Sequence, residues 1–188
     1  MFEDKLFILA SKSPRRQMIL TEAGFDFIVK PVDISEDYHG MLPVEDVAKY
    51  LAEKKAKQFP FLRDNEIVIA ADTTVVINGT ILGKPQNAAE AATMLTSLSG
   101  KIHDVITGVC IKSKDKVVSF DDDTRVYFKS LTDKEIDYYI KEFKPFDKAG
   151  AYGIQEWIGM IGIRKIEGSY FNVMGLPIHK VYETLLMF

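Results

Sequence analysis

The sequence predicts an α/β protein with a mixed sheet flanked by helices, and three observations carry that reading. Apolar, strand-like runs alternate with segments of helical periodicity, the pattern of α/β architecture. Asn78-Gly79 sits between β-branched residues and marks a two-residue hairpin, because both turn positions need a positive φ. Further hairpin-like segments later in the chain argue against a purely parallel sheet.

The first strand is Leu6-Phe7-Ile8-Leu9-Ala10, followed by Ser11-Lys12-Ser13-Pro14-Arg15-Arg16. Ser13 suits an N-cap, and Pro14 suits the first helical position, where its missing N–H costs nothing. That helix runs through Ile19, Leu20 and Ala23 to a stop at Gly24. A second helix, Pro43 to Phe59, carries Val44, Val47, Ala48, Leu51 and Lys55 on one stripe. Glu66–Ala71 reads as a buried strand leading into the hairpin. Asn87 with Glu90 opens a third helix that ends at Ser99-Gly100. Strands are expected at Val105–Lys112, Lys116–Phe120 and Thr124–Phe128, with Asp121-Asp122-Asp123 as a hairpin loop. Thr132 with Glu135 caps a helix through Ile136, Tyr139, Ile140 and Phe143. Beyond a loop at Asp147–Gln155 come expected strands at Met160–Ile166 and Tyr170–Met174, then a helix after Pro177.

The chain has 188 residues, enough for one domain spanning 1–188, and shows no repeat or linker. A hydrophobic fraction of 47% and a charged fraction of 27% are those of an ordinary globular protein. Net charge is -3, so a general polyanion-binding surface is not indicated and nucleic acid is not an expected partner. Cys110 is the only cysteine, which excludes an intrachain disulfide and a cysteine-based zinc cluster. It reads as a small core residue. With no membrane-length apolar run and no basic n-region, a cytoplasmic protein is the expectation.

Chemistry is suggested first by the hairpin. Counting outward from its turn pairs Ile77 with Thr80, Val75 with Leu82 and Thr73 with Lys84. An acid (Asp72), a hydroxyl and a cation then meet at its open end. In a regular ladder Thr73 and Lys84 share a face while Asp72 points away, and a bulge at Gly83 would re-aim Lys84. A charged edge that discourages strand addition is the plainer alternative.

Arg15 and Arg16 oppose the dipole of their helix by roughly 0.3–1 kcal/mol each if exposed. With the capping serine and the free amides of the same turn, they form a candidate phosphate cradle. Lys55 closes an apolar stripe, so it either snorkels to water or projects its ammonium into a cleft. Lys54 and Lys57 lie off the stripe and read as surface charges. Glu36, in an acidic loop, joins Asp72 as a candidate ligand of a divalent cation, which takes one or two carboxylates plus phosphate oxygens. Asp121–Asp123 is the rival cluster, though three consecutive acids do not face one point. In the Asp147–Gln155 loop, small residues allow close backbone approach, and Gln155 can read donor and acceptor edges of a base. His39, His103 and His179 match no metal spacing. Trp157 packs against either a ligand or the core.

Together, Ser11–Arg16, Lys55-Ala56, Ala71–Val75, Gly83-Lys84-Pro85, Asp147–Gln155 and Gly168–Pro177 resemble the motif series of the Maf family of nucleoside triphosphate pyrophosphatases. The resemblance implies a fold like the inosine triphosphate pyrophosphatase class, with two lobes around a cleft. It also implies a metal-dependent (Mg or Mn) cut releasing pyrophosphate from a nucleotide. The Ala-Gly-Ala-Tyr-Gly-Ile-Gln form of one motif resembles the branch acting on dTTP and UTP, modified pyrimidine nucleotides included. Glu156-Trp157 departs from the small residues usual after that glutamine. By the same resemblance, Asp72 is the general base or metal-organising carboxylate and Glu36 assists the metal. Ser11, Ser13, Arg15, Arg16, Lys55 and Lys84 hold the substrate's phosphates, and Arg15, Thr73 and Gln155 lie near the positions that set base preference. The expected partner is the nucleoside triphosphate, with neither nucleic acid nor membrane; a homodimer is compatible with this. The alternative is a nucleotide-binding regulator of cell division and septum formation. Asp72 and Glu36 discriminate, because a pure anion site does not place carboxylates beside polyphosphate.

Overall fold

The computed structural model describes residues 2, 4–38 and 40–188, so His39 lies outside the described residues. Its elements are β1 (Leu6–Leu9), α1 (Pro14–Glu22), β2 (Phe27–Val29), a 3-10 turn (Val44–Asp46) running into α2 (Val47–Ala56), β3 (Glu66–Ile77), β4 (Thr80–Leu82), α3 (Ala88–Leu98), β5 (Ile102–Lys112) and β6 (Val117–Phe128). There follow α4 (Asp133–Phe143), a second 3-10 turn (Ala149–Ala151), α5 (Trp157–Gly162), β7 (Ile163–Glu167), α6 (Tyr170–Met174) and α7 (Ile178–Leu185). The strands form a seven-stranded sheet in the order β2-β1-β3-β5-β6-β7, with β4 paired to β3. β1 runs parallel to β2 and β3, whereas β3–β4 and β6–β7 are antiparallel. The sheet is therefore mixed, as the sequence predicts.

The helix starts follow their caps. Ser13 accepts from the Arg16 amide, Asn87 from the Glu90 amide, and Thr132 with Glu135 forms a reciprocal capping box. The hairpin has the expected register, Ile77 opposite Thr80 and Val75 opposite Leu82, with φ of 50° at Asn78 and 73° at Gly79.

The chain divides into two compact units. The first comprises Met1–Asp72, Thr107–Asp122 and Gly175–Phe188; the second comprises Thr73–Ile106 and Asp123–Met174. In the first, Ile8, Ala10, Ala52, Ala56, Val68, Ala70 and Cys110 form a buried cluster. Cys110 is thus the small core residue its apolar context suggests. In the second, Leu95, Leu98, Val105, Val126, Tyr139 and Ile158 are buried.

Five expectations are corrected. β6 is one strand through Asp121-Asp122-Asp123, not two strands around a loop. Lys49 pairs with Asp121 at 2.9 Å and Lys180 with Asp122 at 2.6 Å, so cations from α2 and α7 neutralise the acids within the strand. Met160–Ile166 is the end of α5 followed by β7, and Tyr170–Met174 is a helix. There the Ser169 hydroxyl accepts from the Asn172 amide at 3.3 Å, a local cap that redirects an aromatic run. The second helix begins as a 3-10 turn and ends at Ala56, before Phe59. β4 stops at Leu82, so the expected Thr73–Lys84 pair lies outside the ladder.

His103 is buried in the second unit, with Nε2 2.7 Å from the Tyr152 hydroxyl and its ring edge-on to Phe128. Burial pushes its pKa down to about 4. The unfolded chain, with an ordinary histidine near pKa 6.5, takes up that proton first as pH falls. Stability is therefore expected to fall between pH 6.5 and 4 by about 3 kcal/mol from this residue, at 1.36 kcal/mol per unit. Urea unfolding of wild type and His103→Phe across that range checks it: the variant should show the shallower loss, and parallel profiles would remove His103 as the cause.

Candidate functional site

Within the first unit, β1 and β3 are parallel neighbours with Leu9 opposite Ile69, and the Ala10 amide bonds the Ile69 carbonyl. Their polar continuations, Ser11 and Ala71-Asp72, therefore end side by side. α1 starts three residues past Ser11, and the last turn of α2 brings Lys55 to the same place.

Arg16 is 8% exposed and its guanidinium faces inward. Nε donates to the Gly175 carbonyl at 2.7 Å, and Nη1 to the Ala71 carbonyl at 2.9 Å and the Ser11 hydroxyl at 3.2 Å. Ser11 Oγ also accepts from the Ser13 amide at 3.2 Å, locking the turn before the helix. Lys55 Nζ donates to the same Ala71 carbonyl at 3.2 Å and to Asp72 Oδ1 at 2.5 Å. Lys55 and Asp72 side chains are only 13% and 14% exposed, so this pair is shielded far better than a surface bridge. Burial lowers the pKa of Lys55, opposed by Asp72; burial likewise lowers that of Arg16, opposed by Asp72 and reinforced by Arg15. Arg15 is half-buried beside it.

Glu36 is exposed, and its negative charge works, as the smallest contribution, against the effect of burial at both Arg16 and Lys55. Its loop is pinned. Lys54 Nζ donates to the carbonyls of Ser35 at 2.7 Å and Asp37 at 3.3 Å, the Ser35 hydroxyl bonds Asp37, and Lys12 pairs with Asp33 at 2.9 Å. Lys54 is thus half-buried and a tether of the Glu36 loop, not the plain surface charge expected from its place off the stripe. Among the described residues no group of three or more His, Cys, Asp or Glu converges as a metal cage. Asp72 and Glu36 nonetheless supply the hard oxygen donors that a magnesium-like ion takes when phosphate oxygens complete its shell.

The second unit holds the remaining candidates. Thr73 is half-buried on β3 and Lys84 exposed in the segment after β4. The Gly83 carbonyl accepts from the Gly150 amide at 3.0 Å, joining that segment to the 147–155 loop. Gly150 has a φ of +68°, and a Cβ there would sit 3.0 Å from Val75, so only glycine lets the loop lie on β3. Gln155 Oε1 is buried without a hydrogen-bond partner. An unmet buried acceptor costs about 1–3 kcal/mol, which marks it as a group awaiting a donor. Trp157 is half-buried, its ring 4.8 Å from that of Tyr138.

Two groups escaped the sequence. The Gly175 carbonyl, as acceptor for Arg16, carries no side-chain signal. Tyr139, Lys148 and Glu156 form a buried polar network beside Gln155, although Tyr139 reads as one more apolar position of its helix.

Strand ends thus gather arginine, lysine and carboxylate at a helix start in an α/β protein. The chain belongs to the Maf family: the family's profile, described as Maf-like protein, matches residues 6–188. A relative from Porphyromonas gingivalis, named dTTP/UTP pyrophosphatase, is 49% identical over 182 residues, covering 95% of this chain and 92% of the relative. Relatives of the same name from Christiangramia forsetii and Flavobacterium johnsoniae are 52% and 47% identical, covering 95% and 98% of this chain and 91% and 98% of their own. Among solved structures, a HAM1 protein from Coxiella burnetii is similar at a TM-score of 0.45 and 14% identity, covering 66% of this chain and 73% of its own. No helix among the described residues is long and apolar enough to cross a membrane.

Proposed function

We propose that the chain hydrolyses dTTP and UTP, modified pyrimidine nucleotides included, to the nucleoside monophosphate and pyrophosphate. The observation that carries this reading is the Lys55–Asp72 pair, closed over the Ala71 carbonyl that Arg16 also holds. It presents a carboxylate in fixed orientation among cations, in a chain about half identical to proteins named dTTP/UTP pyrophosphatase. Asp72 orients a water and accepts its proton as the oxygen attacks the α-phosphorus. The bond to the α–β bridging oxygen breaks, and pyrophosphate leaves with the electron pair. Arg15 and Lys55 meet the charge spread over the phosphate oxygens, so the protein's contribution is positioning and electrostatics. Ser11 and Ser13 shape the turn that starts α1. Asp72 and Glu36 would hold a divalent cation, Mg or Mn, which when bound neutralises phosphate charge and polarises water.

Base selection falls to Gln155, with Thr73 of the same unit. The unmet Oε1 acceptor suits the N3–H of uracil or thymine, which cytosine lacks. A site that hydrogen-bonds one edge rejects an analogue without it, so CTP and ATP, whose rings carry no N–H there, are expected to be poor substrates. The test of the bond cleaved is hydrolysis of UTP in ¹⁸O-labelled water with a divalent cation. Label is expected in the nucleoside monophosphate. Label in pyrophosphate would move the attack to the β-phosphorus, and release of inorganic phosphate with a nucleoside diphosphate would overturn the assignment.

A further inference from the structure

α5 begins at Trp157, which makes Glu156 its N-cap residue, yet the Glu156 side chain makes no capping bond. Only its carbonyl serves the helix, accepting from the amides of Gly159 at 2.9 Å and Met160 at 3.2 Å. The carboxylate turns back into the protein. One oxygen lies 3.0 Å from Lys148 Nζ and the other accepts from the Tyr139 hydroxyl. Lys148 is 9% exposed at its side chain and is shared with Asp147 at 2.7 Å. Tyr139 is fully buried, and its hydroxyl accepts from the Gly153 amide at 3.0 Å. Burial and then Glu156 push the phenol pKa up, so the hydroxyl stays protonated and donates to the carboxylate. One phenol therefore grips the chain at residues 153 and 156, on both sides of Gln155. Gly153 lies close against the network: a Cβ there would lie 3.0 Å from Glu156 Cδ and 3.1 Å from Lys148 Cε, so a larger residue would push both side chains.

From this geometry we propose that Tyr139, Lys148 and Glu156 are positioning residues that fix Gln155 for uracil and thymine and against cytosine. The inference rests on the reading of Gln155 given above. A glutamine amide is informative only when it cannot swing, because a free one offers its donor as readily as its acceptor. On an otherwise small-residue loop, a buried ion pair and a bridging phenol supply that rigidity, since satisfied polar networks select one arrangement.

The test compares UTP and CTP turnover in wild type, Tyr139→Phe and Glu156→Gln, with Tyr138→Phe as a neighbouring change outside the network. Glu156→Gln keeps an acceptor for Tyr139 and leaves Lys148 paired with Asp147, so it retains a folded protein even where Tyr139→Phe does not. In both network variants the UTP:CTP ratio of kcat/KM should fall roughly tenfold, chiefly through KM for UTP. Hydrogen exchange at the Gly153 amide should accelerate, while Tyr138→Phe leaves the ratio unchanged. A wild-type preference for UTP that survives in both network variants overturns the inference alone. A wild type with no preference for UTP over CTP overturns the reading of Gln155, and the inference with it.

Discussion

Asp72→Asn is expected to lower UTP turnover by about 10²–10⁴-fold, the range usual for a lost acid–base group. Folding and nucleotide binding should persist. Asparagine keeps the shape of the carboxylate and an acceptor for Lys55 Nζ, now at 2.5 Å from Oδ1, but takes no proton from water and is a poor metal ligand. Lys55 also retains the Ala71 carbonyl, so the end of β3 should hold. Steady-state kinetics together with calorimetry of UTP binding check this. A variant with more than about a tenth of the wild-type rate would remove Asp72 from the chemistry.

The largest stability effect is expected at Arg16. The sequence casts Arg15 and Arg16 as two equivalent cations at a helix start. In the structure Arg16 has turned inward and commits three bonds to Gly175, Ala71 and Ser11, holding three separate stretches of the first unit. Arg16→Met should destabilise the protein by at least ~3 kcal/mol, since unmet buried acceptors cost about 1–3 kcal/mol each. Arg16→Lys should rescue little, because one ammonium cannot span a fork of acceptors. Arg15→Met, by contrast, should stay within about 0.5 kcal/mol of wild type while losing activity. Urea midpoints and kinetics on the three variants decide. A fully stable but inactive Arg16→Met would make Arg16 a substrate ligand first and a brace second.

Much of the architecture is local and was therefore legible. Ser13-Pro14, Asn87 with Glu90, and Thr132 with Glu135 are caps whose chemistry acts within four residues, and Asn78-Gly79 sets the register of its hairpin. What escaped was set by partners distant in the chain. Asp121-Asp122-Asp123 has the composition of a turn and becomes strand through Lys49 and Lys180, which no local window contains. β2 is three residues long, and two of them are exposed, so it offers almost no apolar alternation. At the candidate site the charged side chains announced themselves, but their division of labour did not. Whether an arginine faces a ligand or its own backbone depends on where carbonyls such as Gly175 end up. Lys54 was misread for the same reason: its partners are main-chain oxygens of a loop rather than an apolar stripe.

The bond between Arg16 and the Gly175 carbonyl bears on how the protein is made. The first unit is completed by residues 175–188, which emerge from the ribosome only after all of the second unit has been synthesised. While the chain grows, the Arg16 guanidinium waits through 159 residues for the Gly175 carbonyl. The turn that presents Arg15 and Arg16 therefore gains its Gly175 anchor late in synthesis. Nascent chains stopped before Gly175 are accordingly expected to be more protease-sensitive than the full chain, because Arg16 then lacks its Gly175 acceptor.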